Sequence, residues 1–322
     1  KKNIEIKIDV FPTNYKNVFF PKYNIDDWSF IVERCKKNGL VVINSNNSVS
    51  IINPNLINKK STLLVSNSGS TVSFEANLNS QNQINTLKLN SIDSFFNKLN
   101  SKNSSEPNLI VSSKNNLKTE KKKFTNITEI DLPSDIENTE LKILADSILK
   151  ISRLKKINGK TKFKGVPEID LDSIVTLDGF GKKFDGDVYV TGVNHELEDG
   201  KVFTEISFGF DNDFLKTEKI IDKNNLINNI SGLHLGKVIE INNDPLKQNR
   251  LKVQIPIISD KNKGIWAKLS HLFTSKNGGS FIIPEIGSQV VVSFIANDPR
   301  NPVILGTLYN NQFNPRYSIK KK

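Results

Sequence analysis

The sequence predicts a mainly β protein, a β-rich α+β chain with two amphipathic helices and a small five-stranded barrel near its C-terminal end. Three observations support this prediction. Segments in which apolar and polar residues alternate recur along most of the 322 residues, which is typical of half-buried strands. Two longer segments switch to a helical period. The block at 231–311 contains five short strands separated by turns, as in an OB-type barrel.

The first predicted helix lies in the segment YNIDDWSFIVERCKKNGL. Asn24 or Asp26 can cap its start, and Asn38 with Gly39 supplies a left-handed stop. Its apolar residues recur at i, i+3, i+4 and i+7, which places them on one face: Trp28, Ile31, Val32 and Cys35.

The second predicted helix lies in NTELKILADSILKISRLKKING. Asn138 or Thr139 begins it, and Asn158 with Gly159 ends it. Its predicted buried face consists of Leu141, Leu144, Ala145, Ile148, Leu149 and Ser152.

The remaining regular segments are predicted strands, beginning at 4–10 and continuing as a hairpin that turns at 44–47. Pairs of Asp and Gly at 178, 185 and 199 predict tight turns between antiparallel strands. The other predicted strands lie at 63–65, 72–78, 159–169, 172–180, 185–197 and 201–210, and in the final block at 233–241, 250–258, 264–271, 290–295 and 303–308.

Two polar segments divide the chain. Residues 97–126 are rich in Asn, Ser and Lys, which predicts an exposed loop or linker with room for a short strand at 109–111. Residues 213–230 are predicted to be a second linker. We therefore expect a first module at 1–96, a second at 127–212, a barrel domain at 231–311 and a tail at 312–322.

The net charge of +11 and a pI near 9.4 raise nucleic acid as a partner. However, 40 of the 45 basic residues are lysine, whereas base and phosphate recognition favours the planar guanidinium of arginine. High lysine, asparagine and isoleucine content is typical of an AT-rich genome. We therefore predict no specific nucleic-acid binding.

No stretch of 18 apolar residues occurs, so no integral membrane segment is predicted. The N-terminus lacks the unbroken apolar core of a signal peptide. The chain contains no methionine, so we expect it to be a segment of a longer product.

Catalytic and metal-binding patterns are missing from the sequence. Cys35 is the only cysteine, which excludes an internal disulfide, and it is interpreted as a small apolar residue rather than a nucleophile. The three histidines, His195, His234 and His271, are far apart, and no zinc spacing or P-loop is present. We predict no catalytic residue, no cofactor and no metal site, and we do not expect an enzyme.

Glu285 lies in the stretch NGGSFIIPEIGSQVVVSF, which contains one acid and no histidine, cysteine or lysine. It could be a catalytic carboxylate on a glycine-supported loop or a polar residue at a corner of the framework. The stretch alone leaves both interpretations open.

The final block resembles the OB-fold domain of VgrG-like and phage-baseplate spike proteins. The segments GKVIEINNDPLKQNRLKVQIP, IWAKLS and GGSFIIPEIGSQVVVSFIANDPRNPVILGTLYN follow that family's pattern in order. Upstream, IDDWSFIVERCKKNGL and LADSILKISRLKKINGKTKFKG are similar to the family's hub. The resemblance covers most of the chain except 97–126. The framework positions that it implies are Trp28, Gly39, Asp244, Pro245, Trp266, Gly279, Pro284, Glu285, Gly287, Asp298, Pro299, Pro302, Gly306, Tyr309 and Asn310.

This resemblance implies a structural hub-and-spike protein of a contractile injection system. It implies two tube-like hub barrels at 1–96 and 127–212, and a homotrimer that caps a hexameric inner tube. It also implies contacts with other baseplate components, and a β-helical needle beyond Tyr317 that carries a tip protein or effector. We expect synthesis in the cytoplasm and assembly into an extracellular or an envelope-anchored particle. Two alternatives stay open: an OB-fold nucleic-acid-binding protein, with Trp266 and Phe273 as stacking residues, and a spike-associated cell-wall hydrolase.

Overall fold

The structure is a computed structural model that describes residues 7–13, 15, 20–23, 25–45, 48–54, 61–67, 69–79, 83–93, 96–107, 109, 127–210, 230–258 and 263–317. These residues form strands, two α-helices and a closed five-stranded barrel near the C-terminal end. The predicted mainly β fold class is therefore confirmed. The needle stays a prediction.

The elements are numbered in chain order. The helices are α1 (Asp27–Lys37) and α2 (Asn138–Leu154). The strands before the barrel are β1 (Lys7–Val10), β2 (Val41–Ser45), β3 (Ser48–Ile52), β4 (Ser61–Ser66), β5 (Thr71–Leu78), β6 (Thr86–Asp93), β7 (Lys98–Asn103), β8 (Ile127–Leu132), β9 (Ile157–Lys164), β10 (Ile174–Asp178), β11 (Gly186–Glu198) and β12 (Lys201–Phe208). The barrel strands are β13 (His234–Glu240), β14 (Leu251–Gln254), β15 (Ile265–Leu269), β16 (Gln289–Phe294) and β17 (Pro302–Leu308).

The largest sheet has six strands in the order β4-β10-β11-β12-β9-β5. Its two edge strands, β4 and β5, are separated in the chain by only four residues, so the sheet must curl until its edges approach each other. The Thr71 hydroxyl donates to the Ser66 carbonyl oxygen at 2.6 Å and holds the edges together there. The result is a tube-like sheet with an apolar interior: Val65, Ile157, Phe163, Ile169, Val175, Leu177, Val188, Val190, Ile206 and Phe208.

The two predicted N-terminal modules share their sheets. In the six-stranded sheet, β4 and β5 come from 1–96, and β9 to β12 come from 127–212. In a three-stranded sheet, β6 pairs antiparallel with β7 and parallel with β8. The remaining sheet has the order β1-β3-β2. The predicted division at 97–126 therefore does not separate one sheet from another.

The first part of the predicted linker 97–126 is wrong, because Lys98–Asn103 forms β7. Asn100 is the buried residue of this strand, so hydrogen bonds to β6, rather than apolar burial, hold it in place. Because β7 has a polar composition, the pattern of apolar residues did not indicate a strand there. The central strand β6 was also not predicted, although Leu87 and Leu89 are fully buried. Residues 110–126, which include most of the predicted strand at 109–111, and residues 211–229 of the second predicted linker lie outside the described residues.

Helix α1 matches its prediction at both ends. The Asp26 carboxylate accepts a hydrogen bond from the Ser29 amide at 2.9 Å, and Gly39 has a φ of +64° beyond the last turn. The predicted apolar face is covered only in part. Cys35 is buried, whereas Trp28 and Ile31 are 44% and 40% exposed.

Helix α2 buries the whole predicted face against the sheets. The predicted stop at Asn158 and Gly159 is wrong, because the helix ends at Leu154 and both residues lie in β9. A Cβ atom at Gly159 would lie 2.1 Å from the Glu75 carbonyl oxygen on β5. This glycine therefore serves a close approach between strands rather than a helix end.

The C-terminal barrel closes in the order β13-β14-β15-β17-β16, with β15 and β17 parallel. Alternate side chains of its strands fill the interior, among them Val238, Val253, Ala267, Val292 and Ile304. The predicted strand at 250–258 is too long, because β14 ends at Gln254 and Ile257 beyond it is 44% exposed.

Arg153 joins the last turn of α2 to two other segments, although it is only 2% exposed. Its guanidinium donates to the carbonyl oxygens of Ile84 and Asn85 at 2.5 and 3.3 Å. It also donates to both carboxylate oxygens of Glu106, at 2.8 and 2.9 Å. One planar group therefore fixes the approach to β6 and the segment after β7 onto the helix.

We expect the substitution Arg153→Met to lower the free energy of unfolding by about 3 kcal/mol, because it leaves buried carbonyl groups without donors. Lys160→Met is the matched control, since Lys160 forms an exposed pair with Glu205 and should change stability by less than about 1 kcal/mol. Urea unfolding at neutral pH measures both values. Equal effects of the two substitutions would contradict this role for Arg153.

Candidate functional site

A buried ionic cluster joins the C-terminal barrel to the start of α2. Asp298, in the corner between β16 and β17, is fully buried. The Arg300 guanidinium donates to this carboxylate through Nε and Nη2, at 3.0 and 2.8 Å. Its Nη1 donates to both oxygens of Glu140 in the first turn of α2, at 2.9 and 2.8 Å. Arg300 thus bridges one acid of the barrel and one acid of the hub.

Hydroxyl and amide groups complete this cluster. The Ser134 hydroxyl donates to Asp298 Oδ2, and the Asn301 side chain donates to the Ser134 hydroxyl at 3.3 Å. The corner is shaped by the unusual backbone of Ala296 and Asn297, which have φ values of +54° and +59°. Its hydrogen bonds therefore connect both parts of the molecule.

The electrostatics of the cluster favour a charged Arg300. Burial alone lowers the pKa of this guanidinium, but its hydrogen bonds and ion pairs with Asp298 and Glu140 outweigh burial and raise that pKa. A planar cation with several fixed donors can engage two carboxylates at once, which a lysine ammonium does less well. The Arg300 guanidinium therefore fixes the relative orientation of the Asp298 and Glu140 carboxylates as well as the distance between them.

The segment before α1 covers this cluster. Phe20 lies between two guanidinium groups, 3.7 Å from Arg34 and 5.3 Å from Arg300, measured from ring centroid to Cζ. Further along, Tyr23 packs against the barrel core and makes an edge contact with the His234 ring, with centroids 6.4 Å apart. The chain between β1 and α1 therefore touches both the helices and the barrel.

A second Asp–Arg pair organises the corner between β13 and β14. Asp244 accepts from the amides of Leu246, Gln248 and Arg250, and from the Arg250 guanidinium at 2.6 Å. Burial alone raises the pKa of Asp244, but these hydrogen bonds lower it well below its usual range. In contrast to Asp298, all these partners lie within the barrel.

The other predicted framework positions are spread over the structure. Pro299 and Pro302 flank the Asp298 corner and are buried, whereas Pro245 is exposed. The Asn310 side chain accepts from the amides of Gln312 and Phe313, both at 2.9 Å, and closes the turn after β17. Tyr309 beside it is 73% exposed. Gly306 lies on β17 and Trp266 on β15, with the Lys252 ammonium 5.7 Å from the Trp266 ring.

The stretch around Glu285 forms two turns. Gly279 has a φ of +153°, and a Cβ atom there would lie 2.8 Å from the Phe273 carbonyl oxygen. Gly287, with a φ of +95°, donates its amide to the Val238 carbonyl oxygen at 2.8 Å and so closes the corner begun by Pro284. Glu285 is exposed, and its carboxylate forms no hydrogen bond or ion pair with the described part of the chain.

The histidines and the cysteine occupy separate environments. His195 pairs with the Thr204 hydroxyl at 2.8 Å on neighbouring strands, and His271 contacts the Phe281 ring. Burial raises the pKa of the Cys35 thiol, which disfavours the reactive thiolate. Among the described residues, no group of three or more His, Cys, Asp or Glu side chains is suited to hold a metal ion. No helix in the same part of the chain is long and apolar enough to cross a membrane.

Comparison with protein families shows which family this chain belongs to. The model of the Alg8 N-terminal domain matches residues 1–199, which is more than half of the sequence. The chain belongs to the Alg8 N-terminal domain family. Beyond this Alg8-type part, residues 234–309 match the type VI secretion system/phage-baseplate injector OB domain. Asp298, Arg300 and their corner therefore lie in the matched OB domain, and Ser134 and Glu140 lie in the Alg8-type part.

Curated relatives are similar over about a fifth of this chain. The type VI secretion system spike protein VgrG1a of Pseudomonas aeruginosa is 39% identical over 61 residues, which is 19% of this chain and 10% of that protein. VgrG3 of Vibrio cholerae is 30% identical over 74 residues, covering 22% and 7% of the two chains. The matched part of this chain therefore spans a tenth or less of these relatives. The predicted resemblance to VgrG-like hub-and-spike proteins is confirmed.

A solved structure is similar over almost the whole fold. The E. coli c3393 protein is described as a component of the type VI secretion system with structural similarity to the T4 bacteriophage tail proteins gp27 and gp5. The match has a TM-score of 0.51 at 10% identity and covers 96% of this chain and 67% of that one. At this identity the match supports the fold alone.

The sequence analysis named Asp244 and Asp298 but missed the arginines that bind them. The signal was present in composition, because the chain has only five arginines among its 45 basic residues. Arg34, Arg153, Arg250 and Arg300 all lie in stacked or multiply hydrogen-bonded positions. Four of the five arginines of this lysine-rich chain therefore occupy sites that use the planar guanidinium.

We expect Asp298→Asn to loosen the contact between the barrel and α2, because it removes the buried charge that faces Arg300. Hydrogen exchange at the Arg300 and Asn301 amides and in the first turn of α2 should rise at least about tenfold, equivalent to about 1.4 kcal/mol.

Asp244→Asn is the matched control for this experiment. It also removes a buried carboxylate from an Asp–Arg pair, but exchange should rise only around Leu246, Gln248 and Arg250. If Asp298→Asn leaves the first turn of α2 as protected as before, the bridging role of the cluster is wrong.

Proposed function

We propose that this protein is a structural hub-and-spike component of a contractile injection system. The observation that carries the proposal is the buried Asp298–Arg300–Glu140 bridge, which ties an OB-type barrel to a hub built from a tube-like sheet. Such a connection suits a protein that must hold a tube-facing part and a spike-facing part in one fixed relation. The family matches and the VgrG-like relatives support the same role.

In this role the protein caps the inner tube and adapts its sixfold symmetry to a threefold spike. Three copies, each with the six-stranded tube-like sheet and the two three-stranded sheets of the hub, would together face a hexameric tube ring. The barrel then leads to a β-helical needle that carries a tip protein or effector, while other baseplate components surround the hub. The finished particle is either extracellular or anchored in an envelope.

The mechanical requirement explains the chemistry of the cluster. During contraction, force would pass from the tube through the hub to the barrel and then to the target envelope. If the Asp298 corner were a hinge, the molecule would bend there and less of the force would reach the target envelope. An ionic cluster that is buried and hydrogen-bonded on both sides resists separation and rotation better than an exposed ion pair does. This mechanism needs no catalytic group.

Assembly with an inner-tube protein tests the proposal. We expect the chain to form a trimer by light scattering and to bind one end of rings of the system's inner-tube protein in co-sedimentation and negative-stain images. A protein that stays monomeric both alone and in the presence of the rings would contradict the proposal. Salt-dependent affinity for single-stranded DNA, or release of peptidoglycan fragments, would instead support the alternative functions.

A further inference from the structure

An ordered loop of the barrel displays a large apolar surface. We call residues 271–286, between β15 and β16, the apolar loop. Its bulky side chains point away from the barrel core, with exposed fractions between 41% and 96%. They are Leu272, Phe273, Phe281, Ile282, Ile283 and Ile286. An exposed apolar cluster of this kind marks a contact surface.

The apolar loop is held in shape by its own backbone. Thr274 and Gly279 form a β-bridge, and the Ser280 amide donates to the Phe273 carbonyl oxygen at 2.9 Å. The His271 and Phe281 rings are 5.4 Å apart. Because the loop is already ordered, a partner that covers it would pay little conformational entropy for ordering it.

The size of this surface fits a stable protein contact. If a fully exposed large apolar side chain presents about 150–200 Å², the six side chains together expose roughly 700 Å². A standard interface buries about 800 Å² on each partner. One docked protein surface could therefore cover the loop.

The same barrel carries a second apolar surface on its outer wall. Leu235 on β13 is 53% exposed and lies beside Val291 on β16, which lies beside Gly306 on β17. Leu305, next to Gly306, is 50% exposed, and Leu233 is 67% exposed. We call these residues the outer stripe: Leu233, Leu235, Val291 and Leu305.

Two unlike apolar surfaces on one module are what a cyclic assembly requires. In a ring, each copy meets its two neighbours through two different patches, whereas a twofold dimer pairs one patch with itself. Charge restricts the choice further. The chain carries +11, so copies that associate must meet where lysine is sparse, and the apolar loop contains only Lys276.

We propose that the apolar loop of one copy packs against the outer stripe of the next copy and so closes a ring of three barrels. This inference rests on the proposed trimer and names the surface that forms it. It also gives Glu285 a place at the rim of the contact, where a charged side chain stays hydrated.

Disulfide trapping tests this contact. Cys35 is the only cysteine, so Cys35→Ala provides a cysteine-free background. In it, Leu235→Cys combined with Ile282→Cys should give a covalent ladder that ends at a trimer on mild oxidation, as seen on a denaturing gel. Each single substitution should give no covalent product there. The matched control combines Leu235→Cys with Leu197→Cys, since Leu197 is 74% exposed but lies on the hub strand β11. This control should give no ladder.

A second measurement does not depend on disulfide geometry. Leu272→Ser with Ile282→Ser should weaken trimer formation at least about tenfold, whereas Leu246→Ser, at an exposed site outside both surfaces, should leave it unchanged. A trimer that forms without the ladder and tolerates the serines would overturn the loop–stripe contact but keep the proposed function. Covalent dimers from a single cysteine would overturn the cyclic arrangement. A wild-type chain that never trimerises would overturn the proposed function itself.

Discussion

The arrangement of the molecule depends on one largely buried cation held between two carboxylates. Arg300 leaves the barrel at the Asp298 corner and reaches Glu140 at the start of α2. Because both acids are hydrogen-bonded to the same planar group, the barrel can neither rotate nor withdraw without leaving a charge unpaired in a partly buried site. Phe20 covers the guanidinium, so the segment before α1 also depends on this contact.

Lysine and arginine side chains have different roles in this chain. Lysine supplies most of the net charge, and several lysines form exposed pairs that contribute little stability. Arginine occupies positions where direction matters: Arg153 fixes two segments onto α2, Arg250 fixes a loop within the barrel, and Arg300 fixes the barrel to the hub. The same pairing of an aspartate with an arginine therefore serves a local corner in one place and a long-range connection in another.

The sequence predicted what local periodicity and turn chemistry determine. The period of α1, the buried face of α2 and the presence of five strands in the final block were all visible in the spacing of apolar residues. The errors arose at positions whose structure depends on pairing with strands that are distant in the sequence. Gly159 was interpreted as a helix stop because only its partner strand β5 shows why a glycine is needed there, and β7 was missed because hydrogen bonds to β6 hold a polar strand. Asp298 was named as a framework position, but no local pattern could indicate Glu140, which is 158 positions earlier in the chain.

A double-mutant cycle on Arg300→Lys and Glu140→Gln tests the bridge between hub and barrel most directly. Unfolding free energies of the wild-type chain, both single variants and the double variant isolate the energy shared by the two side chains. A bridge that holds the two parts together predicts a coupling of about 1.5 kcal/mol or more. Additive effects, with a coupling near zero, would show that the barrel and the hub are held together by other contacts and would contradict this account.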